Sequence, residues 1–287
     1  MSYNDESYKR VPSGGGSSFF RPTPAPPSTP PARSTPPPTR RAAQASPVVV
    51  KITRPTGKIN ILLLMDVSGS TRAYINNLRD KAEYLYTEII KIIPELAGKI
   101  EFSFTGVSDH CDGRLWFQPT AFSGDPAVLK NNLNSIENAG GDDEPEAYEC
   151  AIKEINTWDL QDTNTIVLAV IDSVPHGIGY AGRDNGCPNG VNWKTELDAL
   201  KKKIKAFYVI GCSEHVSMKR LQRLMVEEND HFIELGGNFL RLTNVVHGII
   251  AKEFGDIDKY LARLAATRGA ARANEVATLL KTRQTKI

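Results

Sequence analysis

Asp66, Ser68 and Ser70 stand at alternate positions after the apolar run Ile59 to Met65 and carry three oxygen-bearing side chains into a turn at Gly69. Side chains so spaced can be aimed at one point, and oxygen donors in that arrangement suit a hard divalent cation. The two hydroxyls add ligands without adding charge. The same residues also suit a plainer task, because Asp and Ser at a strand's end cap the helix that follows. Partners elsewhere in the chain must decide between the two.

A second acid occupies an equivalent place. Thr165 to Ile171, TIVLAVI, is another continuous apolar run, and it ends in Asp172 and Ser173. Such runs, too short to span a bilayer and lacking helical spacing of polar residues, read as strands buried on both faces. Ligands of open parallel sheets bind at the carboxyl rim of the strands. Between the two runs lies Asn138 to Glu149, NAGGDDEPEAYE. Its clustered Asp142, Asp143 and Glu144 repel one another unless solvent or a cation compensates them, and they also precede a helix, whose dipole favours negative charge. In the loop Asp109-His110-Cys111-Asp112, His110 and Cys111 are ligand types without a second Cys or His nearby in sequence, and are expected to line the loop.

The elements that must position these residues follow from periodicity. Tyr74, Leu78, Ala82, Leu85, Ile89, Ile90 and Ile93 recur at three-and-four spacing, which predicts one long amphipathic helix closed by Pro94. Lys99 to Gly106 predicts a second strand, joined to the first by a right-handed crossover. Leu115 to Phe117 predicts an edge strand, and Asp125-Pro126 opens a helix running to Ile136. Beyond Asp172, the glycine-rich stretch His176 to Asn192 has no G-x-G-x-x-G and no G-K-S/T, so nucleotide binding has no support; it is expected to be a surface loop overhanging the site. Helix Trp193 to Lys203, strand Ala206 to Gly211, helix Met218 to Glu227, strand Phe232 to Leu235 and helix Val245 to Phe254 complete the pattern. The expected fold is α/β, doubly wound and Rossmann-like, with a mostly parallel central sheet flanked by helices.

Three regions are expected: a disordered Pro-rich segment over 1–50, a domain over 55–254, and a helical tail over 255–287. The first holds 11 of the 18 prolines and too few apolar side chains to offset ordering entropy; the pattern changes from Pro47, where Val48 to Ile52 reads as a short leading strand before the domain. Arg21-x-x-Pro24-x-x-Pro27 has the form of a ligand for an SH3-like partner, set within what also reads as a plain spacer. The tail is amphipathic through Tyr260, Leu261, Leu264, Val276, Leu279 and Leu280, and either packs back on the domain or binds a partner. Residues 1–50 and 252–287 each carry a net +4, which leaves −6 for the middle. An acidic middle argues against a nucleic-acid-binding core and suits a cation. Cys111, Cys150, Cys187 and Cys212 are scattered without a C-x-x-C pair, and no window is long and apolar enough for a membrane span, so the expectation is a cytoplasmic protein without a disulfide framework.

On Asp66-x-Ser68-x-Ser70 and Ile171-Asp172-Ser173, the chain resembles the von Willebrand factor type A domains over about residues 57 to 254. The resemblance implies a metal-ion-dependent adhesion site, with Asp66, Ser68 and Ser70 in the first loop and Asp172 in the third. The usual second-loop threonine is absent, and setting GGDDEPEAYECAI against the pattern places Asp142 there, as in the subset carrying G-G-D-x-P-E. That subset includes domains found with alpha-kinases, to whose loops Asp109 to Asp112 and Val174 to Gly177 are similar. An Asp for Thr implies three carboxylates around the ion, raising affinity for the bare cation and reducing the charge left to attract a partner's carboxylate.

The implied function is a non-enzymatic, metal-dependent protein-binding module, a scaffold or regulatory subunit that holds Mg2+, or Mn2+ or Ca2+, and receives an acidic side chain of a protein partner; a separately encoded kinase or ATPase is one such partner. The alternative is a metal-dependent phosphatase or phosphotransferase with Asp66 as nucleophile, though the general acid that such enzymes place two residues on is here Ser68.

Overall fold

A computed structural model of the chain describes residues 57–140, 145–160, 164–178, 186–228 and 230–281. The Pro-rich segment, the leading strand read at Val48 to Ile52, and Asp142, Asp143 and Glu144 lie outside the described residues.

The apolar runs form the centre of one sheet. Its strands are β1 (Ile59–Asp66), β2 (Ile100–Val107), β3 (Phe117–Pro119), β4 (Ile166–Ile171), β5 (Ala206–Gly211) and β6 (His231–Glu234), in the order β3-β2-β1-β4-β5-β6. All neighbours are parallel except β3, which runs antiparallel to β2 at the edge. Nine helices are described: α1 (Arg72–Asp80), α2 (Ala82–Ile92), α3 (Pro126–Ser135), α4 (Tyr148–Ile155), α5 (Trp193–Lys201), α6 (Val216–Glu227), α7 (Leu242–Glu253), α8 (Ile257–Arg268) and α9 (Ala270–Lys281).

Why the runs lack polar alternation is visible in where their side chains go. Ile59, Ile61, Leu63 and Met65 enter a core shared with α1, α2 and α7, while Leu62 and Leu64 enter a separate one shared with α4, α5 and α6. Ile166, Leu168 and Val170 of β4 join the first core, and Val167, Ala169 and Ile171 the second. With both faces covered, every position is apolar until the strand reaches the rim.

The sheet order also fixes where a site can form. From β1 the chain proceeds outward to β2 and β3, then returns to the other side of β1 at β4. Strand order therefore reverses between β1 and β4, and the crevice beyond their carboxyl ends is the switch point of the fold. Asp66 is the last residue of β1, and Asp172 directly follows β4.

Two expected elements differ. The single helix over 74–93 is two, because Lys81 leaves helical geometry at φ −118°, ψ 14°, and its N–H donates to the Leu78 carbonyl. One irregular residue barely shifts the apolar stripe, so the periodicity runs through the break. The edge strand begins at Phe117 rather than Leu115, since His110 to Leu115 wind into 310 turns interrupted by Gly113 at φ 60°.

The tail packs back on the domain. Tyr260 and Leu264 of α8 and Ala273, Val276 and Leu280 of α9 are buried in the first core. Their approach is close enough that a Cβ at Gly248 of α7 would lie 2.5 Å from Leu280 Cδ1. Arg263 pairs with the buried carboxylate of Glu88 on α2, and Tyr260 donates to the Asn244 carbonyl at 2.7 Å. Leu264→Ala should therefore cost about 2–5 kcal/mol of stability, the range for truncating a buried leucine. Urea unfolding of the full chain measures this, and an undocked tail would show no loss.

Candidate functional site

Beyond β1 the backbone turns at once. The Ser68 N–H donates to Asp66 Oδ1 at 2.8 Å, and the Thr71 hydroxyl lies 2.7 Å from the Asp66 carbonyl oxygen and 3.0 Å from that of Ser68. Those contacts hold the Gly69–Thr71 310 turn, but neither Asp66 nor Ser68 caps the helix that follows: Ser68 makes no side-chain capping bond, and Asp66 accepts from Ser68 N–H outside the helix. The side chains do more. Ser68 Oγ and Ser70 Oγ are 3.0 Å apart, Ser70 is exposed, and Asp66 is 1% exposed with the half-buried Asp172 close enough for its charge to act on it.

Three further loops are tied to this turn by backbone bonds. Ala139 N–H donates to the Val67 carbonyl at 2.9 Å and Gly69 N–H to that of Gly140 at 3.1 Å, which brings the second loop against the first. Glu146 N–H donates to the Val174 carbonyl at 3.0 Å and Ala147 N–H to that of Ser108 at 3.3 Å, joining the loops after β4 and β2. Asp112 Oδ1 accepts from Gly140 N–H at 3.2 Å. Of the residues singled out in sequence, Asp66, Ser68, Ser70 and Asp172 thus share one rim, while Asp142 lies outside the described residues.

Sequence reasoning missed three participants. Tyr148, fully buried at the start of α4, donates its hydroxyl to Asp66 Oδ2. Glu146 is 2% exposed and its Oε2 accepts no hydrogen bond; Asp112 Oδ2 is buried and likewise without a donor. The Pro145-Glu146 step before α4 was the available signal, because an acid so placed is carried inward with the helix start.

Electrostatics follow from this crowding. Burial first, and then the charge and hydrogen bond of Asp172, raise the Asp66 pKa to about 7. Burial again, followed by the charges of Asp66, Asp109, Asp112 and Asp172, pushes Glu146 up to about 10. Burial and Asp66 also raise the Tyr148 hydroxyl well above its usual range. Among the described residues no Lys or Arg is paired with Asp66, Glu146 or Asp172. The rim is thus, among the described residues, a cluster of acids without a paired Lys or Arg, suited to a hard cation or to protons.

His110 does not simply line its loop, as the sequence suggested. Its Nε2 lies 3.8 Å from Cys187 Sγ and 3.6 Å from Glu149 Oε1, and Cys187 Sγ lies 3.4 Å from Cys150 Sγ. Cys111, the other ligand type in that loop, is exposed. Cysteines scattered in sequence are therefore neighbours in the fold.

Among solved structures, the pilus adhesin SpaC from Lactobacillus rhamnosus GG, in an open conformation, is similar over 70% of this chain and 30% of its own, at 13% identity and a TM-score of 0.49. Proximal thread matrix protein 1 from the mussel byssus is similar over 69% of this chain and 48% of its own, at 12% identity and a TM-score of 0.49. The chain thus spans less than half the length of either. No protein-family model matches it, and no curated protein does. Among the described residues no helix is long and apolar enough to cross a membrane.

A raised carboxyl pKa means that the folded state holds protons which the unfolded state releases. In chelator, stability should therefore be greatest near pH 4, fall as pH rises through 7 as Asp66 ionises, and continue to fall as Glu146 does. Asp66→Asn should unfold later than the parent chain at pH 8 in chelator, by about 1–3 kcal/mol, and lose that advantage near pH 4. Denaturant unfolding at the two pH values checks this.

Proposed function

We propose that the chain is a von Willebrand factor A-type protein-binding module whose rim holds a divalent cation. The observation that carries this reading is the meeting of the buried Asp66 carboxyl group with the half-buried Asp172 beside two serine hydroxyls at the switch point, with no Lys or Arg paired to either acid among the described residues. Two acids this close in a low dielectric need a counter-charge, and an all-oxygen donor set favours Mg2+ or a similarly hard ion over a softer metal. Asp66, Asp172, Ser68 and Ser70 would hold it, with Asp142 added on the resemblance in sequence. When bound, the ion supplies a positively charged position at which an Asp or Glu of a protein partner can complete the coordination.

The protein's own groups prepare that position. Ser68 N–H and the Tyr148 hydroxyl fix the two Asp66 oxygens, and the backbone bonds from Ala139 and Gly69 keep the second loop against the first. Ser70 faces outward, where a partner's carboxylate would arrive. The phosphatase reading draws less support, because the position two residues after Asp66, where such enzymes carry a general acid, is Ser68.

The test is Mg2+ alone added to the metal-free full chain. At 100 times its dissociation constant, Mg2+ should stabilise folding by about 2.7 kcal/mol, and Asp66→Ala or Asp172→Ala, folded by circular dichroism, should lose that gain. Thermal unfolding unchanged by Mg2+, or an equal gain in both variants, would contradict the reading. Partners captured by the loaded chain should be released by chelator.

A further inference from the structure

We propose a second metal site, of transition-metal type and separate from the oxygen-lined rim, in which His110, Glu149, Cys150 and Cys187 bind zinc. The proposal stands independently of the function proposed for Asp66 and its neighbours. Its four donor atoms, His110 Nε2, Glu149 Oε1, Cys150 Sγ and Cys187 Sγ, all lie within 4.8 Å of one another.

Their spacing is that of a coordination shell. Zinc bound at about 2.3 Å to sulfur and about 2.0–2.1 Å to nitrogen or oxygen in a tetrahedron sets sulfur to sulfur at about 3.8 Å, sulfur to nitrogen at about 3.6 Å, and nitrogen to oxygen at about 3.4 Å. The corresponding separations here are 3.4 Å between Cys150 and Cys187, 3.8 Å between Cys187 and His110, and 3.6 Å between His110 and Glu149. These three of the six edges agree to within about 0.4 Å of the ideal set, and the other three are no longer than 4.8 Å.

A second, independent observation points to a ligand. The Glu149 side chain is 0% exposed and its Oε1 accepts no hydrogen bond. A carboxylate oxygen removed from water and faced by imidazole nitrogens at 3.0 and 3.6 Å, neither in hydrogen-bond geometry, needs a positive partner, and a metal ion supplies one. The surroundings hold the donors in place. The backbone N–H of His176 donates to Glu149 Oε2 at 3.1 Å, the His176 ring stands 3.0 Å from Oε1 through Nδ1, and Asn189 Nδ2 donates to Cys150 Sγ at 3.6 Å. Such outer contacts orient ligands around a metal.

Donor chemistry selects the ion class. Two sulfurs, an imidazole nitrogen and one carboxylate are a borderline-soft set that suits zinc and disfavours Mg2+. The ligands come from the 310 turns after β2, the first turn of α4 and the glycine-rich loop, so one ion would join three segments that the sequence leaves unconnected.

The experiment is elemental analysis of the full chain purified without chelator, followed by Co2+ substitution read by absorption. The expected result is about one zinc per chain that survives gel filtration, and a thiolate-to-cobalt charge-transfer band with tetrahedral d–d bands. Cys187→Ser and His110→Gln should each lower zinc retention at least about tenfold, while Cys111→Ser and Asp66→Ala retain it. Absence of zinc and of the cobalt bands would overturn the proposal. So would loss of two thiols by titration, with a mass two hydrogens lower, since that would make Cys150 and Cys187 a disulfide. If Cys187→Ser fails to fold, cobalt spectra of His110→Gln decide the matter.

Discussion

A buried carboxyl group facing a second, half-buried acid is the constraint around which the rim of this protein is built. Asp66 ends β1 and Asp172 directly follows its parallel neighbour β4, so the strand pairing brings the two acids to the same rim. Like charges in a low-dielectric site raise each other's cost of ionisation, so the surrounding loops can only supply donors, protons or a cation. Ser68 and Tyr148 supply donors, and burial keeps protons on Asp66 and Glu146 to unusually high pH.

The rest of the fold can be read as support for that arrangement. Both faces of β1 and β4 are covered by helices, which fixes the strands and therefore the acids at their ends. The loop after β2, the segment preceding α4 and the turn after β4 are joined by backbone bonds, to which the Asp112 carboxylate adds one from the Gly140 N–H. The tail helices extend the first core on the side of α2 and α7, at the close approach that Gly248 permits.

Much of this was legible in the sequence, for identifiable reasons. Parallel strands buried on both faces print as unbroken apolar runs, so β1, β4 and β5 were located to within a residue, and the acids closing two of them were conspicuous. The break at Lys81 was not, because no glycine or proline marks it and the stripe continues across it. Tyr148 and Glu146 had no periodic signature; their importance comes from where α4 starts against the sheet. His110, Cys150 and Cys187 are spread over 77 residues, and only the packing of α4 against the loop after β2 brings them together. Local spacing finds ligands on one turn or helix, and it cannot find a set drawn from three.

The central claim is that the Asp66 and Asp172 carboxyl groups share one cation. Anomalous diffraction from crystals of the full chain grown with Mn2+ tests it most directly. The account predicts an anomalous peak between the two carboxyl groups and within bonding distance of Ser68 and Ser70. Crystals saturated with Mn2+ that show no peak there, or carboxyl groups that turn away from each other, would contradict it.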